Sequence, residues 1–394
     1  MTTRLRIACV SLHTSPTDLP GTGDAGGMNV VELNQALALG RHGQRVDLIT
    51  RRADPSLPDT TEIGPGVTVR LLSAGPAEPM AKSAQEAVID DFRAQLTALA
   101  PYDAIISQHW MSGVAALPVA KQWGVPHLQS YHSIAAPVGA DLSEGEPPES
   151  PGREAGERLL ARDSDAIITI SRAEARTVIH RLGADPGKVH VVPPGVDHTV
   201  FVPATERAAP PYVAFAARLQ PLKAPDLAVR ALAEVSAAIR PELHIAGDTS
   251  QDFAAYRAEL EQLIDDVGVR EHVRFVGSFD RPGLAEFFGR ATLTIVPSYS
   301  ETFGLVALES AACATPVIAN ATGGLVESVA DDVSGVLLHS RDPKAWGAEI
   351  ERLLTDRAAW TELARGARRH AATFGWEASA DAMLGVLLRA VEES

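Results

Sequence analysis

The stretch "HTSPTDLPGTGDAGGMNV" occupies His13–Val30. It follows the apolar run Leu5–Val10 and leads into a segment with helical spacing, Val30–Arg41. Gly21, Gly23, Gly26 and Gly27 crowd this one loop, and Asp24 sits among them. Glycine accepts positive φ and lets a backbone approach a bulky anion closely. The start of the helix that follows offers unpaired N–H groups and a partial positive charge. The stretch therefore reads either as a phosphate cradle after the first strand of an α/β sheet or as a flexible surface turn. The choice between them depends on the remainder of the chain.

Working outward, short apolar runs rich in β-branched residues alternate with helical patterns. Strands are predicted at Leu5–Ser11, Val46–Thr50, Val67–Leu72, Ala104–Ser107, His127–Tyr131, Ala166–Ile170 and Val189–Val192. Helical segments such as Val30–Arg41 and Ala84–Leu99 lie between them. Continuous apolar strands separated by helices indicate a parallel sheet covered on both faces. The Pro-rich stretch Pro193–Pro211 reads as a linker, after which the pattern restarts. A second strand set follows at Tyr212–Ala217, Leu243–Gly247, Val273–Gly277, Leu293–Pro297, Pro316–Ala319 and Val336–Leu338. Helices are predicted between them at Asp226–Ile239, Phe253–Val267, Pro282–Gly289, Gly304–Ala312 and Leu325–Ala330, and Pro343–Glu393 reads as helical apart from "TFGWE". The expectation is an α/β chain of two doubly wound, Rossmann-like domains facing across a cleft. The first covers 1–195 and the second 196–375, and a last helix at 376–394 crosses back onto the first. In such sheets ligands bind at the carboxyl ends of the strands. The acidic segment Asp141–Glu157, with its scattered Pro and Gly, reads as a mobile surface loop ending near Arg153.

The totals narrow the function. A chain of 394 residues exceeds what one core usually serves. With 45% apolar and 22% charged residues, it has an ordinary globular composition. A net charge of −15 argues against a nucleic-acid partner, so any polyanion site must be local. Cys9 and Cys313 fit neither a metal spacing nor a disulfide framework, and both read as small buried hydrophobes. No cleavable signal pattern and no apolar stretch of about 18 residues is seen, so a cytoplasmic protein without a membrane span is expected.

Two further stretches carry chemistry. In "YVAFAARLQPLKAPDLAVRAL", Arg218 and Lys223 follow a strand end and precede a helix start. They read as an anion pocket, a planar fork beside a point charge suited to a diphosphate, or as two solvated surface charges. In "SYSETFGLVALESAA", Glu301 lies in the loop after a strand and Glu309 lies within the next helix. Each carboxylate suits a vicinal diol of a ribose or hexose, or else is a solvated charge at a helix start. Backbone N–H groups near Phe303 and Gly304 are available to an anion or a sugar oxygen.

Taken together, "GTGDAGGMN", "RLQPLK" and "ETFGLVALE" resemble the GT4 family of retaining glycosyltransferases, whose fold is GT-B; the last stretch is that family's E-x7-E pattern. The opening stretch is most similar to the branch that puts N-acetylglucosamine on inositol phosphate in mycothiol synthesis, and the likeness covers essentially the whole chain. On the donor side the resemblance implies that Gly26 and Gly27 present backbone amides to the diphosphate, which Arg218 and Lys223 bind from the other domain. It implies that Glu309 holds the ribose and Glu301 the sugar hydroxyls, aided by backbone at Thr302, Phe303, Gly304 and Leu305. Phe279 is placed against the base. On the acceptor side it implies cyclitol contacts at Asp24 and Asn29, a phosphate seat at Lys82, Ser133 and Arg153, and His132 close to the reacting sugar. The family has a tyrosine that reaches the acceptor phosphate where this chain has His109. The acidic loop before Arg153 also lacks a basic residue expected near a phosphate.

The activity so implied moves a hexose, with retention, from UDP-N-acetylglucosamine or UDP-glucose, or alternatively a GDP-sugar. The acceptor is a cyclitol phosphate such as 1D-myo-inositol 3-phosphate. No cofactor or metal is implied, and a homodimer is. Arg218, Lys223, Glu301 and His132 are the candidate catalytic residues. Three other readings remain: the same chemistry on an aminocyclitol, sugar phosphate or thiol; a nucleotide-sugar epimerase; and a non-catalytic nucleotide-sugar-binding protein. A redox Rossmann enzyme fits less well, because ten residues separate Val10 from Gly21.

Overall fold

The protein is described from a computed structural model that covers residues 4–148, 150–249 and 251–394. The first half forms strands β1 (Arg6–Ser11), β2 (Arg45–Arg51), β3 (Thr60–Gly64), β4 (Val67–Leu72), β5 (Ala104–Gln108), β6 (His127–Ser130), β7 (Ala166–Thr169) and β8 (Val189–Val191). Helices α1 (Gly27–Arg41), α2 (Ile89–Thr97), α3 (His109–Trp123), α4 (Arg153–Asp163) and α5 (Arg172–Thr177) connect them. The strand order is β3-β4-β2-β1-β5-β6-β7-β8. Every pairing is parallel except β3 with β4. Five of six residues of β1 and all of β5 are buried, as a sheet covered on both faces requires.

The second half repeats the plan with β9 (Tyr212–Ala216), β10 (Glu242–Ala246), β11 (Val273–Gly277), β12 (Leu293–Val296), β13 (Val317–Asn320) and β14 (Gly335–Leu338). Its order is β11-β10-β9-β12-β13-β14, all parallel. The helices are α6 (Pro225–Glu234), α7 (Tyr256–Asp266), α8 (Arg281–Arg290), α9 (Leu305–Ala312), α10 (Leu325–Ser328), α11 (Pro343–Thr355) and α12 (Arg357–Ala371). Several begin as their sequence dictates. Asp280, Asp342 and Asp356 each accept a backbone N–H of the first turn. Pro282 and Pro343 occupy first-turn positions that need no donor.

The last helix, α13 (Trp376–Glu393), returns to the first half and lies along α1. The two chain crossings run side by side. A Cβ on Gly195 would stand 2.4 Å from the Trp376 nitrogen, and Val196 N–H donates to the Phe374 carbonyl at 3.3 Å. One continuous apolar cluster therefore includes α1, α13, Phe201 and the inner faces of α8 and α9.

Four local readings are corrected. The antiparallel edge strand β3 was not expected. The helix expected over 226–239 ends at Glu234, where Val235 turns to extended backbone. The helix expected from Ala84 opens as a 3-10 turn at Lys82–Val88 before α2. The segment expected as a surface loop does end where α4 begins at Arg153, but within it Glu146 turns inward onto Lys82 and Arg153 rather than facing solvent. Among the described residues no helix is long and apolar enough to cross a membrane.

Candidate functional site

In each sheet the strand order reverses direction beside the first strand. In the first sheet β1 lies between β2 and β5; in the second, β9 lies between β10 and β12. Loops leaving the C-terminal ends of two such neighbours diverge to opposite faces and leave a crevice. The loops after β1 and β5 carry the Gly-rich stretch and His109. The loops after β9 and β12 carry Arg218, Lys223 and Glu301. The two crevices open into one pocket lined from both halves, including Gly27, Lys82, Arg218, Lys223, Glu301 and Glu309.

The glycines have a steric role. Gly21 and Gly23 take positive φ. A Cβ on Gly26 would stand 3.7 Å from Arg218 Nε, and one on Gly27 3.4 Å from Leu305 Cδ1. Any larger side chain there would fill the space between the start of α1 and the cations opposite. Asn29 braces this loop. Its Oδ1 accepts the Gly26 N–H at 2.9 Å, and its Nδ2 donates to Thr14 Oγ1 at 3.0 Å and the Ser15 carbonyl at 2.7 Å. Both amide protons of Asn29 thus serve the loop itself.

Opposite, Lys223 Nζ lies 2.8 Å from Glu301 Oε1, which also accepts Ser298 Oγ at 2.9 Å. Arg218 Nη1 lies 3.7 Å from Asp24 Oδ1, bridging the halves. Gly304 caps α9 at φ 94°, and a Cβ there would meet Leu325 Cδ2 at 2.5 Å, so only glycine fits. Thr302 Oγ1 crosses the cleft to the His132 carbonyl at 2.6 Å. Glu309 is 3% exposed and is held by Arg281 Nη1 at 2.6 Å. Phe279 lines the cleft and stacks on Phe287, with centroids 5.2 Å apart. Phe303 is buried against Phe374 and offers the cleft backbone rather than ring.

On the other wall, Lys82 and Arg153 are 6% and 0% exposed. Arg153 Nη2 donates to Ser133 Oγ at 3.0 Å, and its Nε pairs with Glu157 at 2.9 Å. His109, at the start of α3 with φ 69°, is buried with both ring nitrogens unpartnered, and its ring lies 4.3 Å from that of His13. Burial lowers the pKa of His109 well below the usual range, and His13, Lys82 and Arg153 add to the effect. Burial does the same to His13, with Lys82, Arg218, Arg153 and His132 contributing. His109 is therefore a neutral donor and acceptor, not the protonated donor one would set against a phosphate. His132 has φ 59°, and its Nε2 meets Gln108 Oε1 at 2.5 Å and Ser130 Oγ at 3.2 Å. Burial lowers its pKa to about 3.

The family model "Glycosyl transferase 4-like domain" matches residues 26–195, and "Glycosyl transferases group 1" matches residues 200–370. The chain is 40% identical to the D-inositol 3-phosphate glycosyltransferase of Nocardiopsis dassonvillei, over 97% of this chain and 94% of that one. It is 39% identical to the protein of the same name from Xylanimonas cellulosilytica, over 98% and 97%. The sucrose-phosphate synthase of Thermosynechococcus elongatus superposes with a TM-score of 0.90 at 29% identity, covering 99% of this chain and 100% of that one. The chain belongs to the GT4 family of glycosyltransferases.

The fold of this GT4 protein is GT-B, with two Rossmann-like sheets facing across one cleft. Three cleft residues of the GT4 chain escaped the sequence reading. Arg281 opens α8 and reaches Glu309, with its guanidinium 4.5 Å above the Phe201 ring. His13 meets His109 only because β1 and β5 are neighbours. Glu146 lies among Lys82, Arg153 and Arg218 at 3.7, 3.8 and 3.9 Å. His13 had a signal in its place just after the first strand, in the loop already singled out, and Arg281 in its place two residues beyond Phe279; Glu146 had none. Among the described residues of this GT4 chain no three His, Cys, Asp or Glu side chains form a metal site.

Proposed function

We propose that this chain transfers N-acetylglucosamine or a related hexose from a UDP-sugar to a cyclitol phosphate such as 1D-myo-inositol 3-phosphate, with retention at the anomeric carbon. The observation that carries the reading is one cleft with two cationic walls. Arg218 and Lys223 stand on one side, and Lys82 and Ser133 on the other, with the fully buried Arg153 behind Ser133 and donating to it. Relatives about 40% identical over nearly the whole chain are named for an inositol 3-phosphate acceptor, which supports it.

In this reading Arg218, Lys223 and the amides at Gly26 and Gly27 stabilise the charge that develops on the departing diphosphate. Glu309 holds the ribose, and Glu301, oriented by Lys223 and Ser298, holds the sugar hydroxyls. The acceptor hydroxyl attacks from the face that the diphosphate leaves, and a phosphate oxygen of the donor takes its proton. No side-chain base is then required, in keeping with a His132 whose Nε2 is already engaged by Gln108. The halves meet over the reacting groups and limit attack by water.

A second reading keeps the chemistry and changes the acceptor to an aminocyclitol, another sugar phosphate or a thiol. His109, in place of the family's tyrosine, favours it. Mass spectrometry of products from a panel of nucleotide sugars, with inositol 3-phosphate and an aminocyclitol offered in parallel, decides between them. Product formed only with UDP-N-acetylglucosamine and inositol 3-phosphate is expected. Transfer to the aminocyclitol alone would replace the first reading with the second.

A further inference from the structure

Glu146 has no part in the reaction as proposed, yet it lines the cleft. Its side chain is 13% exposed. Oε2 lies 3.7 Å from Lys82 Nζ and 3.8 Å from Arg153 Nη1; Oε1 lies 3.9 Å from Arg218 Nη2 and accepts Gln220 Nε2 at 3.3 Å. The backbone is fastened behind it, because the Glu146 carbonyl accepts the Ala136 N–H at 2.7 Å. Burial alone would favour the neutral acid, but Lys82, Arg218, Arg153 and Lys223 together outweigh it and hold the carboxyl well below the usual range. Glu146 is therefore an anion held by cations from both walls.

Among the described residues, Lys82, Arg153, Arg218 and Lys223 are met by Asp24, Glu146, Glu157 and Glu301. A diphosphate and a phosphomonoester would each bring up to about two negative charges near neutral pH. A buried site cannot accept both while all four carboxylates remain in place. Glu157 is fixed in α4 by Arg153 and the Ala135 N–H, and Glu301 is fixed by Lys223 and Ser298. Glu146 stands on an irregular loop and touches cations assigned to both substrates, Lys82 and Arg153 on one side and Arg218 on the other.

Resting on the reading above, we propose that Glu146 is a resident stand-in for substrate phosphate. It neutralises the shared anion seat until an incoming anion displaces it, so it sets how tightly phosphate groups bind and links the donor seat to the acceptor seat through Arg218. Whichever anion arrives first moves the carboxylate aside, and the second binds without that cost. A fixed strut that merely positions the cations would behave in the opposite way, since its removal would weaken anion binding.

Isothermal titration of the full chain with inorganic phosphate and with UDP separates the two, with no turnover required. Glu146→Gln is expected to bind phosphate about tenfold more tightly than the wild type, the scale of one charge-assisted contact released. UDP is expected to tighten phosphate binding in the wild type and to leave it unchanged in Glu146→Gln. Gln220→Ala, which loosens Glu146 and leaves the cations intact, is expected to shift phosphate affinity in the same direction by a smaller factor. Equal or weaker phosphate binding in both variants overturns the stand-in. Tighter binding in Glu146→Gln, together with no transfer to inositol 3-phosphate by the wild type, would instead remove the acceptor assignment and leave the stand-in in place.

Discussion

Lys223 and Arg218 stand on the same short loop and do different work. Lys223 places its nitrogen 2.8 Å from Glu301, so it orients the carboxylate proposed to hold the sugar, and in the proposed reaction it also faces the departing diphosphate. Arg218 extends a fork between Asp24 and Glu146 of the opposite wall. Removing either donor is expected to lower kcat by about two orders of magnitude, the scale of one lost charge-stabilising contact. Steady-state kinetics of Lys223→Ala and Arg218→Ala with UDP-N-acetylglucosamine and inositol 3-phosphate measures this. Arg218→Lys is expected to recover little, because a point charge cannot span two partners as the fork does. Near-normal turnover in either alanine variant would show that the diphosphate lies elsewhere. These cations were legible because each follows a recognisable strand end. Glu146 was not, since an acid in a Pro- and Gly-rich loop looks the same in sequence whether it faces water or three cations. His109 was legible as a departure from the family, but its neutrality comes from burial beside His13, which no local pattern encodes.

Among the elements, the buried strands were the easiest to read, because runs such as Ile7–Val10 and Ala104–Ile106 are apolar without interruption. β3 was missed because it is a polar edge strand, Thr60–Gly64, with little buried surface to impose a pattern. The start of α1 was read three residues late, since glycines at a helix start look like loop until the cap geometry is seen. The most consequential element for the architecture is α13. Leu387 is 0% exposed and Ala380 is 0% exposed, both within the apolar cluster that α13 shares with α1. Arg41 and Glu377, which also join these helices, have side chains 49% and 55% exposed. Burial and ion pairing therefore predict unequal effects at one interface. Leu387→Ala is expected to cost about 2–5 kcal/mol of unfolding free energy, and Glu377→Ala less than about 1 kcal/mol. Urea unfolding of both variants checks the ranking. A larger loss at Glu377 would mean that charge rather than apolar packing fastens the last helix.

At the scale of the whole molecule, the first sheet encloses ionisable groups that the proposed reaction does not use, and they fix how the protein responds to pH. Glu32 on α1 and Glu174 on α5 are 1% and 5% exposed. Burial raises each pKa to about 8 from about 4.5, and their hydrogen bonds, from Cys9 Sγ to Glu32 and from the Ile170 N–H to Glu174, offset this only in part. Both are held as neutral acids. Because the folded value lies above the unfolded one, the stability they contribute is complete below about pH 4.5, declines above it and is lost as pH rises through about 8. His127 and His132 act in the opposite direction. Burial lowers their pKa to about 3 from 6.5, so their contribution is complete above pH 6.5 and is lost as pH falls towards 3. Between about pH 4.5 and 6.5 the two pairs offset one another, and above pH 6.5 the glutamates act alone, so these four groups make stability fall with rising pH. There each glutamate accounts for a slope of about 1.4 kcal/mol per pH unit, one proton's worth of linkage. Urea unfolding at pH 6.5, 7.25 and 8 should show the wild type weakening with pH. Glu32→Gln and Glu174→Gln, which keep the shape and remove the titration, should each reduce that slope by one proton. The comparison of slopes is insensitive to any fixed cost of the substitution, which shifts the whole curve without tilting it. An alkaline slope as steep in both variants as in the wild type would mean that the two acids are already ionised in the folded protein. The interior of the first sheet would then have to be far more polar than its packing indicates.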